Sequence, residues 1–157
     1  MQDTLQQLRE LDEAMMPFGM TVGFTIERVA AGEAVVAMEC LPHLHNLFGY
    51  THGGAIFSIA DTAIGLAHVA TLEPGQTATT VESRIVFMRP VLSGFLRATA
   101  TSLKRGRTLS FYDCDITDEA GKLMARVSAT MMTLDEDRSQ GRNEMHGAEQ
   151  LLAPGAE

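Results

Sequence analysis

Within nine residues, Asn46-Leu47-Phe48-Gly49-Tyr50-Thr51-His52-Gly53-Gly54 collects an amide side chain, an imidazole and two adjacent glycines, and Asp61 follows eight positions after Gly53. The His-Gly-Gly triplet stands where a long helical stretch begins. The first amides of a helix lack internal partners, and the macrodipole adds partial positive charge there. Glycine lets another group's atoms approach the backbone closely. Such a start can polarise a carbonyl and stabilise the oxyanion formed when that carbonyl is attacked. Asn46, on the loop before it, can add a side-chain donor. Asp61 falls among Ala60, Ala63 and Ile64, and a carboxylate in apolar surroundings has a raised pKa suited to a base or nucleophile. Each feature also has a plainer use: Gly-Gly before a helix serves as a turn, and a mid-helix Asp serves as a hydrogen-bonded core residue or the partner of an Arg.

The elements that must position these groups follow from the pattern of apolar residues. Residues 3–16 predict a helix, with Leu5, Leu8 and Leu11 about one turn apart, ended by Pro17 and Gly19. Val22, Phe24 and Ile26 then alternate with Thr21, Gly23 and Thr25, the period of a strand. Residues 34–41 form its antiparallel partner, and Pro42 closes the hairpin. After the His-rich loop, residues 55–72 predict a helix of about eighteen residues, apolar nearly all round and so buried. Ser58, Asp61, Thr62, Gly65 and His68 form one polar stripe along it. Four strands follow, at about 79–89, 94–104, 108–117 and 122–134. Residues 135–157 lose periodicity and read as a mobile tail. The expectation is a single α+β domain spanning 1–157, with its core over about 20–134 and an antiparallel sheet of about six strands wrapped around a long helix.

Composition narrows the function classes. With 157 residues, 45% hydrophobic and 20% charged, the chain has the profile of one globular domain. A net charge of −8 argues against nucleic acid as a partner. No run is apolar enough to span a membrane, and the acidic N-terminus lacks the pattern of a signal peptide. The two cysteines, Cys40 and Cys114, are too few for a disulfide scaffold and point to the cytoplasm. Six of the twelve basic residues nevertheless fall in one stretch: Arg84, Arg89, Arg97, Lys104, Arg105 and Arg107. His43 and His45, at i and i+2 on an extended segment, invite a metal reading, but no Cys or carboxylate completes a ligand pattern there, and no metal or cofactor is expected.

The compound motif Asn46-x-x-Gly49-x-x-His52-Gly53-Gly54 with Asp61-Thr62-Ala63 resembles the hotdog-fold thioesterases of the phenylacetate-degradation (PaaI) type. The likeness extends through Val86-Phe87-Met88-Arg89-Pro90-Val91, Lys104-Arg105-Gly106-Arg107 and Gly121-Lys122-Leu123-Met124-Ala125, and covers residues 20–134. The resemblance implies hydrolysis of acyl-CoA thioesters, with Asp61 as base or nucleophile and the Gly53 amide polarising the carbonyl. Asn46 and His52 would orient the substrate or water, with Gly54 beside them. Thr80 falls where many members carry a Ser or Thr near the attacking water, although the following Glu82-Ser83-Arg84 departs from the commoner pattern. Arg89, Arg105 and Arg107 become candidates for the CoA phosphates. Phe48, Tyr50, Phe57 and Met88 are candidates to line an acyl or aryl pocket.

Two other readings compete. A hotdog dehydratase or hydratase would pair a His with an acid in a different arrangement, and a non-catalytic acyl-CoA-binding module would have no need of a buried carboxylate. Helix geometry adds an expectation of its own. Gly53 and Asp61 lie about 12 Å apart along one axis at 1.5 Å per residue, too far to act on one carbonyl. Two central helices packed antiparallel near Phe57 would set residue 53 of one level with residue 61 of the other, making a homodimer the minimum assembly. A tetramer is a further expectation from the family.

Overall fold

The computed structural model describes residues 16–135. The expected helix over residues 3–16 and the tail beyond residue 135 therefore lie outside the described residues, apart from their boundary positions. Within them the order is a short helix α1 (Pro17–Val22), β1 (Phe24–Ala30), β2 (Glu33–Glu39), a 3-10 turn (Pro42–Leu44), α2 (Gly53–Val69), β3 (Gln76–Phe87), β4 (Phe95–Arg105), β5 (Leu109–Asp118) and β6 (Leu123–Asp135).

One expectation is corrected at the start. Pro17 opens α1, where its missing N–H is no loss in a first turn. Gly23, at φ 78°, closes α1 in the left-handed conformation, its N–H donating to Gly19 O at 2.7 Å. The strand therefore begins at Phe24, and Thr21 and Val22 are helical.

The six strands form one antiparallel sheet in the order β1-β2-β4-β5-β6-β3. Alternation decides which face meets the helix: Leu96, Ala98 and Ala100 of β4 are buried between the outward Phe95, Arg97 and Thr101. Small residues on both sides, Ala98 and Ala100 below and Ala60, Ala63 and Ala67 above, let α2 seat closely on the sheet. Ile56, Ile59 and Ile64 fill the space around Val36, Met38, Ile116 and Val127. Burying side chains of this size contributes roughly 1.5–3 kcal/mol each.

Two surfaces stay open among the described residues. The helix covers the sheet with one side only, leaving Gly54, Phe57, Ser58, Asp61, Thr62, Gly65 and Val69 partly or fully exposed along the other. At the sheet's edge, none of the twelve residues of β3 is buried, although strands β4 to β6 alternate in the ordinary way. Its outer backbone edge is unpaired among the described residues, and Val81, Val86 and Phe87 are exposed beside it.

Candidate active site

The loop before α2 is a small antiparallel ladder. His45 and Thr51 form an isolated bridge, flanked by Asn46 N donating to Tyr50 O at 2.7 Å and His52 N to Leu44 O at 2.8 Å. Gly49 turns the chain at φ 81°, where a side chain is disfavoured. Asn46 Oδ1 accepts from the amides of Phe48 at 2.9 Å and Tyr50 at 3.3 Å. The carbonyl end of Asn46 is thus committed to the turn, and its NH₂ end remains a donor. His43 lies in the 3-10 turn, not on an extended segment, so it does not point with His45 as a ligand pair would. Among the described residues no three His, Cys, Asp or Glu side chains converge to hold a metal ion.

His52 caps α2. Its Nδ1 accepts the Gly54 amide proton at 2.9 Å, which places the proton of the neutral ring on Nε2. Ala55 and Ile56 amides turn back to His52 O. Among the described residues nothing accepts from the Gly53 amide. Of the two glycines, the first keeps a free donor at the positive end of the helix and the second is used by the cap.

Asp61 sits two turns further on, in the open stripe of α2. Burial raises its carboxyl above the usual range, and the Thr80 hydroxyl beside it works in the opposite direction. Thr80 also donates to Met131 Sδ at 3.5 Å. It stands just before a bulge at Val81, where the β3–β6 register shifts. Asp61 and Thr80 therefore come together within one chain, whereas Gly53 and Asp61 remain about 12 Å apart along the helix.

The three arginines are not brought together. Arg89 is near the Gly53 end, where its guanidinium donates to Leu123 O and its amide to Met124 O at 3.1 Å. Arg105 and Arg107 line a cavity of about 220 Å³ beyond the other end of α2, with Thr71, Gln76, Ser110 and Thr133. His68 leaves the polar stripe expected of it. It is buried in its own subunit, with Nδ1 3.1 Å from Tyr112 Oη and Nε2 3.1 Å from Thr133 Oγ1. Burial, and then the charge of Arg105, lowers its pKa.

Phe87 escaped the sequence reading. One cross-strand row runs Val36, Ala98, Ile116, Ala125, Phe87. The first four are fully buried, while Phe87, at the sheet edge, is 50% exposed. Its ring tip lies against Gly53. The Phe87-Met88-Arg89-Pro90 run was visible as motif, but its contact with a glycine 34 positions earlier was not.

Comparison with known proteins adds to this geometry. The family model described as the thioesterase superfamily matches residues 48–125. The chain is 31% identical over 111 residues to a 1,4-dihydroxy-2-naphthoyl-CoA hydrolase of Listeria monocytogenes, covering 71% of this chain and 90% of that protein. It is 33% identical over 127 residues to the human acyl-coenzyme A thioesterase 13, covering 77% and 90%. A solved structure of a mutant of the phenylacetic acid degradation protein PaaI from Thermus thermophilus superposes with a TM-score of 0.68 at 32% identity, covering 74% and 97%. With a six-stranded antiparallel sheet around one long helix, and with these likenesses, the chain belongs to the thioesterase superfamily as a hotdog-fold thioester hydrolase of the PaaI type.

Proposed function

We propose that the protein hydrolyses acyl-CoA thioesters in the cytoplasm at two sites shared between the subunits of a homodimer. The observation that carries this reading is the separation within one chain of a free helix-start amide, Gly53, from a half-buried carboxylate of raised pKa, Asp61. A partner helix running antiparallel in the open stripe of α2, centred near Phe57, sets the two level. The uncovered β3 edge offers the matching backbone pairing. In the composite site the thioester oxygen accepts from the Gly53 amide, and Asn46 Nδ2 and His52 Nε2 hold the substrate or water. Gly54 leaves room beside them. Asp61 of the other subunit acts as base toward water or as nucleophile toward the carbonyl, with Thr80 beside it. The tetrahedral intermediate then expels CoA as thiolate: with water as attacker this leaves the free acid, and with Asp61 as attacker it leaves an anhydride that water hydrolyses to the free acid and the Asp61 carboxylate.

The CoA phosphates fit the cavity with Arg105 and Arg107. Arg28, Arg97 and Arg126 are paired with carboxylates, whereas these two have no ion-pair partner among the described residues. Arg105 ends a row that runs Thr80, Met131, Ser110, Arg105 across four strands. Three strand spacings make about 14 Å. An extended pantetheine arm, with about four residues' worth of backbone bonds, spans about 14 Å. Arg89, committed to Leu123 O, serves better as an anchor of the β3 end. Both cysteines are free and buried, in keeping with a reducing compartment. Thiol release across a panel of acyl-CoAs tests the reading directly: turnover of at least one is expected, and no turnover of any would end it.

A further inference from the structure

The acyl side of the site is defined by one contact. A Cβ built on Gly53 would lie 2.9 Å from Phe87 Cζ and 3.3 Å from Cε1. Gly53 is not among the glycines with positive φ, so backbone conformation does not require glycine there. The ring of Phe87 does. The backbone that carries that ring is held by β6. Phe87 pairs with the fully buried Ala125. Immediately after it, the amides of Met88 and Arg89 both donate to Met124 O, at 2.9 and 3.1 Å, and the Arg89 guanidinium holds Leu123 O. The strand end is thereby fixed to β6, which sets the position from which the half-exposed ring reaches Gly53.

The Gly53 nitrogen is one bond, about 1.46 Å, from the Cα whose Cβ position the ring occupies. A carbonyl bonded to that amide therefore lies beside the exposed half of Phe87, with its α-carbon among the next atoms out. We propose that Phe87 is a specificity-determining residue whose ring walls the acyl α-carbon and excludes branching there. This rests on the role proposed above for the Gly53 amide. An unbranched methylene or a flat ring passes the wall. An added α-methyl group must displace the ring, and one methyl-sized mismatch in an apolar site shifts selectivity by roughly 10–200-fold.

The experiment compares kcat/KM for the best straight-chain acyl-CoA and its 2-methyl counterpart, in wild type, Phe87→Ala and Phe87→Leu. Wild type is expected to prefer the straight chain, and truncation to lower that preference by about tenfold or more, with dimerisation checked by light scattering. A folded, dimeric Phe87→Ala or Phe87→Leu protein that keeps the wild-type ratio overturns the proposal. Wild type that releases no thiol from any acyl-CoA overturns the hydrolytic reading, and the wall with it. A double-mutant cycle supplies a second readout. Gly53→Ala should lose most activity in wild type and little more in the Phe87→Ala background. Equal losses in both backgrounds would show that the ring does not make the glycine necessary.

Discussion

His52 Nδ1 takes the Gly54 amide proton at 2.9 Å, and this one bond separates the structural glycine of the pair from the one left with a free N–H. The imidazole thus has two faces, a cap toward the helix and an Nε2–H toward the site.

The two uses of His52 can be separated by substitution. His52→Ala should remove the cap and cost about 1 kcal/mol of stability. His52→Asn, a good N-cap, should restore most of it, while leaving the site without the Nε2 donor. Thermal unfolding and kcat/KM measured together check this. Equal melting temperatures for the Ala and Asn variants would mean that the cap adds nothing.

Asp61→Asn should lower turnover by at least ~10²-fold with folding intact. In wild type, the acid limb of kcat/KM should lie above the ordinary carboxylate range, because burial raises the Asp61 pKa in the folded state. The stability consequence has the same origin. A folded pKa above the unfolded one gives a contribution that is complete below the unfolded value, about 3.9, and lost as pH rises through the folded value. Asparagine has no such loss. The melting temperature of Asp61→Asn relative to wild type should therefore increase with pH across that window and then level off. A difference independent of pH would contradict the raised pKa.

Subunit mixing tests the shared site. Asp61→Ala in one chain and Asn46→Ala with His52→Ala in the other should each be inactive alone. Co-refolded heterodimers contain one intact constellation and should regain activity. Verified heterodimers that stay inactive, beside wild type that refolds normally, would exclude the shared arrangement. A charge at the edge, Val86→Lys, should weaken dimerisation and activity together, as read by light scattering and assay at matched dilutions.

The arginines should divide by location. Neutralising Arg105 and Arg107 to Gln should raise KM for acyl-CoA and spare shortened pantetheine thioesters, the signature of lost uniform binding. Arg89→Gln should affect both substrates alike and lower thermal stability, since it releases the Leu123 carbonyl. The opposite pattern would exchange their roles.

The helix start and Asp61 were legible in the sequence because both depend on local facts, a glycine pair before a helical stretch and a carboxylate between alanines. The later strands were legible within a few residues, since alternation survives wherever one face is buried, as at Leu96, Ala98 and Ala100. Val22 was misread as strand because it alternates with Phe24 and Ile26, and the left-handed Gly23 between them, which closes α1, is what separates the two elements. His68 shares the angular face of Asp61 on an ideal helix, yet Tyr112 and Thr133 reach it from the sheet. The separation of Arg89 from Arg105 and Arg107, like the contact of Phe87 with Gly53, is set by strand order across the sheet, and spacing along the chain carries no signal of it.

The bulge at Val81 has a consequence for alignment. Two identical β3 edges joined about a two-fold axis would otherwise present a nearly uniform ladder. A slip of two residues keeps every side chain on its proper face and displaces one subunit by about 7 Å along the other. Such a slip would preserve the fold of each chain and pull Asp61 away from the Gly53 amide with which the proposed site pairs it. A bulge breaks the uniformity at one position per edge, between Thr80 and Glu82, so that each register sets the two irregularities at a different distance from the axis and the registers are no longer equivalent in energy. In a dimer joined along β3, an irregular strand beside the carboxylate thus acts as the fiducial mark from which the distance between the two halves of each site is set.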